Sequence, residues 1–145
     1  MRFDGTPHDY YHSLEHTRAD RYHRKGRTIE VPVVSLDALI GSAEIPKRVG
    51  FLKIDTEGHD LAVLRGAEEM LAKGAIRFVY VEFNDLQPKT GTTGGALYPM
   101  DELLRRFGFQ FVASYNDLVV AEGGLFGVSN ALFAAPPGLA KSELT

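Results

Sequence analysis

From residue 29 onward the apolar positions fall into short continuous runs that alternate with stretches of helical period, the pattern of strands and helices taken in turn. Residues 29–34 are rich in β-branched side chains and predict a strand. Pro32, with no N–H to donate, marks it as an edge or a bulge. Ser35 predicts the N-cap of a short helix through Ile40, ended by Gly41. Residues 49–55 predict a buried strand that stops at an acidic cluster. A helix over 59–73 follows, with Leu61, Leu64, Glu68 and Leu71 on one side. Gly66 is expected to split this helix and Gly74 to close it as the C′ residue. Residues 76–83 predict a second strand, apolar apart from Arg77 and Glu82. Two such strands joined by a helix imply a parallel pair covered on both faces.

Residues 84–97 read as a loop rich in Gly and Thr, longer than the two to six residues usual between a strand and a helix, as a lid or a disordered segment would be. Pro99 at a first helical position starts a helix through Phe107, whose Met100, Leu103, Leu104 and Phe107 match the helical template and which Gly108 stops. Residues 109–115 and 131–134 predict closing strands, an antiparallel pair. The expected class is α/β, a mostly parallel sheet with an antiparallel closing strand. Three segments are expected: a polar stretch at 1–28, the α/β domain at 29–137 and a tail at 138–145.

Composition narrows the function without naming it. Hydrophobic residues at 44% and charged residues at 24% are ordinary globular values. Sixteen basic against 19 acidic residues give a net charge of −3, so no basic footprint of a nucleic-acid binder is present. Without cysteine there is no disulfide, thiolate metal site or cysteine nucleophile. No apolar run approaches the roughly 20 residues of a membrane span. The expected setting is cytoplasmic, with no membrane span and no nucleic-acid partner. His8, His12 and His16 recur every four residues, the spacing of a helical metal site. Gly5, Pro7 and scarce apolar neighbours favour a solvated segment, and no metal is expected.

The chemistry concentrates at Lys53-Ile54-Asp55-Thr56-Glu57-Gly58-His59-Asp60, where three carboxylates fall just after a buried strand. Ligands of open α/β sheets bind outside the carboxyl ends of the strands. Bunched carboxylates raise one another's pKa or call for a cation. Two readings stand open here: a functional site, or an acidic first turn that caps a helix. His59 is a candidate base within this stretch. Glu82, at the end of the next strand, is either structural or a contact for a ligand at the same edge.

Residues 33–39 (Val-Val-Ser-Leu-Asp-Ala-Leu), 51–60, 63–67 (Val-Leu-Arg-Gly-Ala) and the pair Val81-Glu82 together resemble the FkbM-type methyltransferases. That family carries, in this order, a T-L-D-x-L segment, a K-I-D-x-E-G-x-E segment, a V-L-x-G-A helix and a glutamate closing the next strand. Ser35 stands for the threonine and Asp60 for the second glutamate, swaps that keep the chemistry. Tyr11-His12-Ser13-Leu14 is similar to the segment the family carries upstream, and the likeness covers roughly residues 10–135.

The resemblance implies the C-terminal part of a Rossmann-like sheet and methyl transfer from S-adenosylmethionine to a hydroxyl of a small acceptor (a sugar, a glycolipid head or a polyketide). It implies Asp55 near the methyl group, Glu57 as base or acceptor contact, and Asp37 as a cofactor-side residue. Glu82, His59 and Asp60 would lie toward the acceptor. The family's glycine-rich D-x-G-A-N-x-G turn has no counterpart in these 145 residues, which contain no Gly-x-Gly. The expectation is that this chain alone does not bind the cofactor and is inactive by itself. Residues 51–55 are expected at a sheet edge, where Lys53 is the one charge before Asp55. Such an edge is to be covered by a second copy, by residues 1–28 or by a complementing N-terminal half. A non-catalytic interaction module pairing through that edge is the rival reading.

Overall fold

The structure, a computed structural model, describes residues 2–5, 27–42, 46–56, 58–83, 96–121 and 124–136. Glu57, the four N-terminal histidines, most of the expected 84–97 loop and the 138–145 tail lie outside the described residues. The chain divides into two compact units, Met1–Val34 and Ser35–Thr145.

In the first unit β1 (Arg2–Gly5) pairs antiparallel with β2 (Arg27–Glu30), Phe3 opposite Ile29. The strand expected at 29–34 therefore ends early. Val33 and Val34 are exposed and carry no ladder, and Pro32 removes the N–H that would continue one.

The second unit opens with α1 (Leu36–Gly41), capped as expected: Ser35 Oγ accepts from the Ala38 amide at 3.2 Å. Then follow β3 (Val49–Ile54), α2 (Asp60–Arg65), α3 (Glu68–Ala72), β4 (Ile76–Phe83), α4 (Leu97–Arg106), β5 (Gln110–Ala121) and β6 (Gly124–Ala134). The expected long helix is split at Gly66, where a Cβ would stand 3.2 Å from Ser35 Cβ. Gly74 and Gly108 hold φ values of +63° and +80° and end α3 and α4. At both ends the amide two residues beyond the C-cap closes a six-to-one bond, Ala75 to the Met70 carbonyl at 2.9 Å and Phe109 to that of Leu104 at 3.1 Å. The last helix begins at Leu97, two residues earlier than Pro99 suggested. A proline within the first turn costs nothing there, because the first amides of a helix have no intrahelical partner.

The four strands lie in the order β3-β4-β6-β5. β3 and β4 are parallel, whereas β6 runs against both β4 and β5. The mostly parallel sheet expected from the sequence is thus corrected to a mixed one whose pairings are mostly antiparallel, and these four strands do not by themselves define a Rossmann sheet. The cause is the place of β6: it inserts between two strands that point the same way, so one reversed strand makes two antiparallel pairs. The carboxyl ends of β3 and β4 still open on one edge.

Alternation along the strands sorts the two faces. Ile54, Val79, Val81, Ala131 and Phe133 join Leu64, Leu71, Met100 and Leu104 in one buried cluster under the helices. Each of these apart from Ala131 contributes about 1.5–3 kcal/mol by leaving water. Phe51, Lys53 and Tyr80 lie on the opposite face, where Phe51 remains 54% exposed. Among the described residues no helix is long and apolar enough to cross a membrane.

Candidate functional site

Period two along β3 puts Lys53 and the residue just past its end, Asp55, on the face away from the helices. In the parallel register Lys53 lies opposite Tyr80 and Ile54 opposite Val81, so one step further Asp55 falls beside Glu82. The same level continues across the sheet, Glu82 opposite Asn130 and Asn130 opposite Tyr115. A row of polar groups therefore crosses the carboxyl end of the parallel pair. Behind it runs an aromatic row, Phe51 to Tyr80 and Tyr80 to Tyr115, each with ring centroids 6.0 Å apart.

Asp55 is held by Lys53, whose Nζ donates to Oδ2 at 2.8 Å. That hydrogen bond is the main reason the Asp55 carboxyl sits below its ordinary range. Partial burial opposes the shift, while the lysine charge and a hydrogen bond with Glu82 add to it. The Lys53 ammonium is pushed up in turn, first by the same hydrogen bond and then by the charge of Asp55.

The acidic stretch does not act as one exposed patch among the described residues. Asp60, at 1% exposure, turns to the core side of α2. Thr56 Oγ1 donates to its Oδ2 at 3.2 Å, and its buried Oδ1 has no hydrogen-bond partner among the described residues. Burial pushes the Asp60 carboxyl up. The amides of Asp60 and Gly58 and the Thr56 hydroxyl pull it partly back, and the charge of Asp55 adds to the rise. The turn between the two carboxylates is tight: Gly58 takes φ +99°, and the His59 amide donates to the Thr56 carbonyl at 3.3 Å. His59 stands at the N-cap of α2 without capping it through its side chain.

Asp37 lies elsewhere. Its two carboxylate oxygens accept from the amides of Glu69 and Met70, each at 3.0 Å, at the start of α3. Of the residues expected at the site, the fold therefore brings Asp55 and Glu82 together, buries Asp60 beneath them and uses Asp37 to cap a helix. The sequence marks Lys53 as the first residue of the acidic stretch and as an edge-strand charge, and nothing in it marks Asn130, Tyr80 or Tyr115. The two-residue spacing from Lys53 to Asp55 was a usable signal. Asn130 and Tyr115 join only through strand order, which no local pattern carries.

A hollow of about 200 Å³ between α2 and α4, lined by Leu61, Arg65, Pro99, Glu102, Leu103 and Arg106, contains none of these residues. Among the described residues no cluster of three His, Asp or Glu side chains is placed to hold a metal ion.

The paired carboxylates stand at the carboxyl ends of adjacent parallel strands, where open α/β sheets bind their ligands. The methyltransferase FkbM domain matches residues 4–111, most of the chain, and the protein belongs to that methyltransferase family. No curated protein and no solved structure matches it at a comparable level.

Proposed function

We propose that this chain serves methyl transfer from S-adenosylmethionine to a hydroxyl oxygen of a small acceptor, with Asp55 at the reacting centre. The observation that carries the proposal is the Asp55–Glu82 pair at the carboxyl ends of β3 and β4 in a chain of this family. Bound S-adenosylmethionine supplies an electrophilic methyl group on a cationic sulfur. The donor set fits such a group by charge, since the Asp55 carboxyl is held below its ordinary range and carries a negative charge.

Asp55 offers negative charge where a cation is to be received, and an acceptor for the proton of an approaching hydroxyl. Glu57, three residues before the buried Asp60, is the second candidate for that proton. Glu82 and His59 are the candidates for contact with the acceptor. Asp37 and Asp60 shape the scaffold, one by capping α3, the other by fixing the turn from Thr56 to His59. Positioning supplies most of the acceleration in a displacement of this kind.

The ribose and methionine contacts of the family belong to a glycine-rich turn that these 145 residues do not contain. Calorimetric titration of the chain with S-adenosylmethionine is therefore expected to show no binding tighter than about 100 μM, roughly −5.5 kcal/mol. A tighter dissociation constant would mean that another segment builds the cofactor site and would overturn this division of labour.

A second reading has its own support. Among the described residues β3 pairs with β4 alone and forms the edge of the sheet. A module that pairs through this edge without catalysing anything would need the edge and not Asp55.

A further inference from the structure

We propose that Lys53 is the positioning residue of this site, its ammonium aiming the Asp55 carboxylate and balancing its charge beside Glu82. The inference rests on the functional reading of Asp55 given above and goes beyond it by assigning a role to a side chain outside the carboxylate set. Lys53 precedes Asp55 by two residues on an extended strand, so the two side chains share a face by backbone geometry alone. The 2.8 Å contact closes that arrangement.

On the neighbouring strand Tyr80 lies in register with Lys53, and Glu82 follows at the level of Asp55. Two carboxylates facing each other across adjacent strands repel unless a cation or a proton intervenes. Lys53 is placed to be that cation: its ammonium bonds Asp55 directly and also responds to Tyr80 and Glu82. On the helix side Asp60 heads α2, and the charge of Asp55 adds to the rise of its carboxyl.

Both partners are about half exposed, at 56% and 43%, so the pair adds little to stability. Its effect falls on the direction and ionisation of Asp55. In this arrangement Asp55 stays an anion at neutral pH and remains pointed along the sheet face. A neutral residue at position 53 would let the Asp55–Glu82 pair take up a proton more readily.

The test is a carbon-detected titration of the Asp55 side-chain carboxyl in the full chain, with neither cofactor nor acceptor present. Wild type, Lys53→Met, Lys53→Gln and Lys53→Arg are compared, with thermal unfolding of each as a check on folding. The titration midpoint of Asp55 should lie below the usual aspartate range in wild type, shift upward in both neutral variants and return toward wild type in Lys53→Arg, while the unfolding temperatures stay together. An Asp55 midpoint that is the same in wild type and in both neutral variants would overturn the proposal. Because no methyl transfer is measured, failure here is separable from failure of the methyltransferase reading. The latter would show as absent transfer with the titration behaviour intact.

Discussion

Asp55 and Asp60 are separated by one tight turn, yet their carboxyl groups shift in opposite directions, and the sign of each predicts a different pH dependence. The Asp60 pKa is raised by burial. Folding therefore favours its neutral form, and the contribution is complete below the unfolded pKa of about 3.9 and lost as pH rises through the folded value. Asp60→Asn keeps the size of the side chain and an oxygen for the Thr56 hydroxyl, and it removes the ionisation. It should be more stable than wild type at pH 7, with the difference shrinking below about pH 4. Urea unfolding at the two pH values checks this, and a variant destabilised at pH 7 would show that the fold holds Asp60 ionised. Asp55 works the other way. Its pKa is depressed, chiefly by Lys53, so its small contribution is present above the unfolded pKa and fades as pH falls through the folded one. Solvent screening at this exposed pair keeps that contribution minor.

At the scale of elements, α1 is the part that joins distant stretches of the chain. The Asp37 amide donates to the Gly66 carbonyl at 2.9 Å, and the Asp37 carboxylate caps α3 across the same break. Asp37→Ala should cost about 0.5–2 kcal/mol, the usual worth of an N-cap, and lower the melting temperature by several degrees. Asp37→Asn, whose one side-chain oxygen can still accept from one of the two amides, should lose less than Asp37→Ala. Gly66→Ala should also destabilise, because its new methyl meets Ser35 Cβ at 3.2 Å. Equal melting of Asp37→Ala and wild type would remove the capping role. These elements show what was legible beforehand. The Ser35 cap and the positive-φ Gly74 and Gly108 act on their own neighbours, so the sequence places them correctly; Gly66 breaks its helix where the sequence expects, while its tight contact is with the distant Ser35. The partners of Asp37 lie more than 30 residues away, and nothing local separates a helix cap at that distance from a cofactor contact. The insertion of β6 between β4 and β5 is hidden for the same reason, since strand order is decided by packing. Of the site, Asp55 and Glu82 were legible as ends of apolar strands, whereas their pairing required the register.

At the scale of the whole molecule, the edge expected at residues 51–55 is present among the described residues, with β3 bonded only to β4. An open edge carrying Gly50 and an exposed Phe51 is a template for further pairing. The chain is expected to self-associate, or to protect the edge otherwise, and in either case to show slow amide exchange at Leu52 and Ile54. A monomer by sedimentation with fast exchange at both amides would contradict that. Association alone would not separate an enzyme from a pairing module, because both use the edge. The central claim is that Asp55 serves methyl transfer. Its most direct test is transfer of a labelled methyl group from S-adenosylmethionine to a panel of hydroxyl acceptors. The chain would be supplied with a polypeptide carrying the glycine-rich half of the family's fold, and wild type compared with Asp55→Asn. The account predicts transfer by the wild-type assembly and a loss of about 10²- to 10⁴-fold in the variant, the range of a positioned acid–base group. No transfer by the wild-type assembly, or equal transfer by Asp55→Asn, would contradict it.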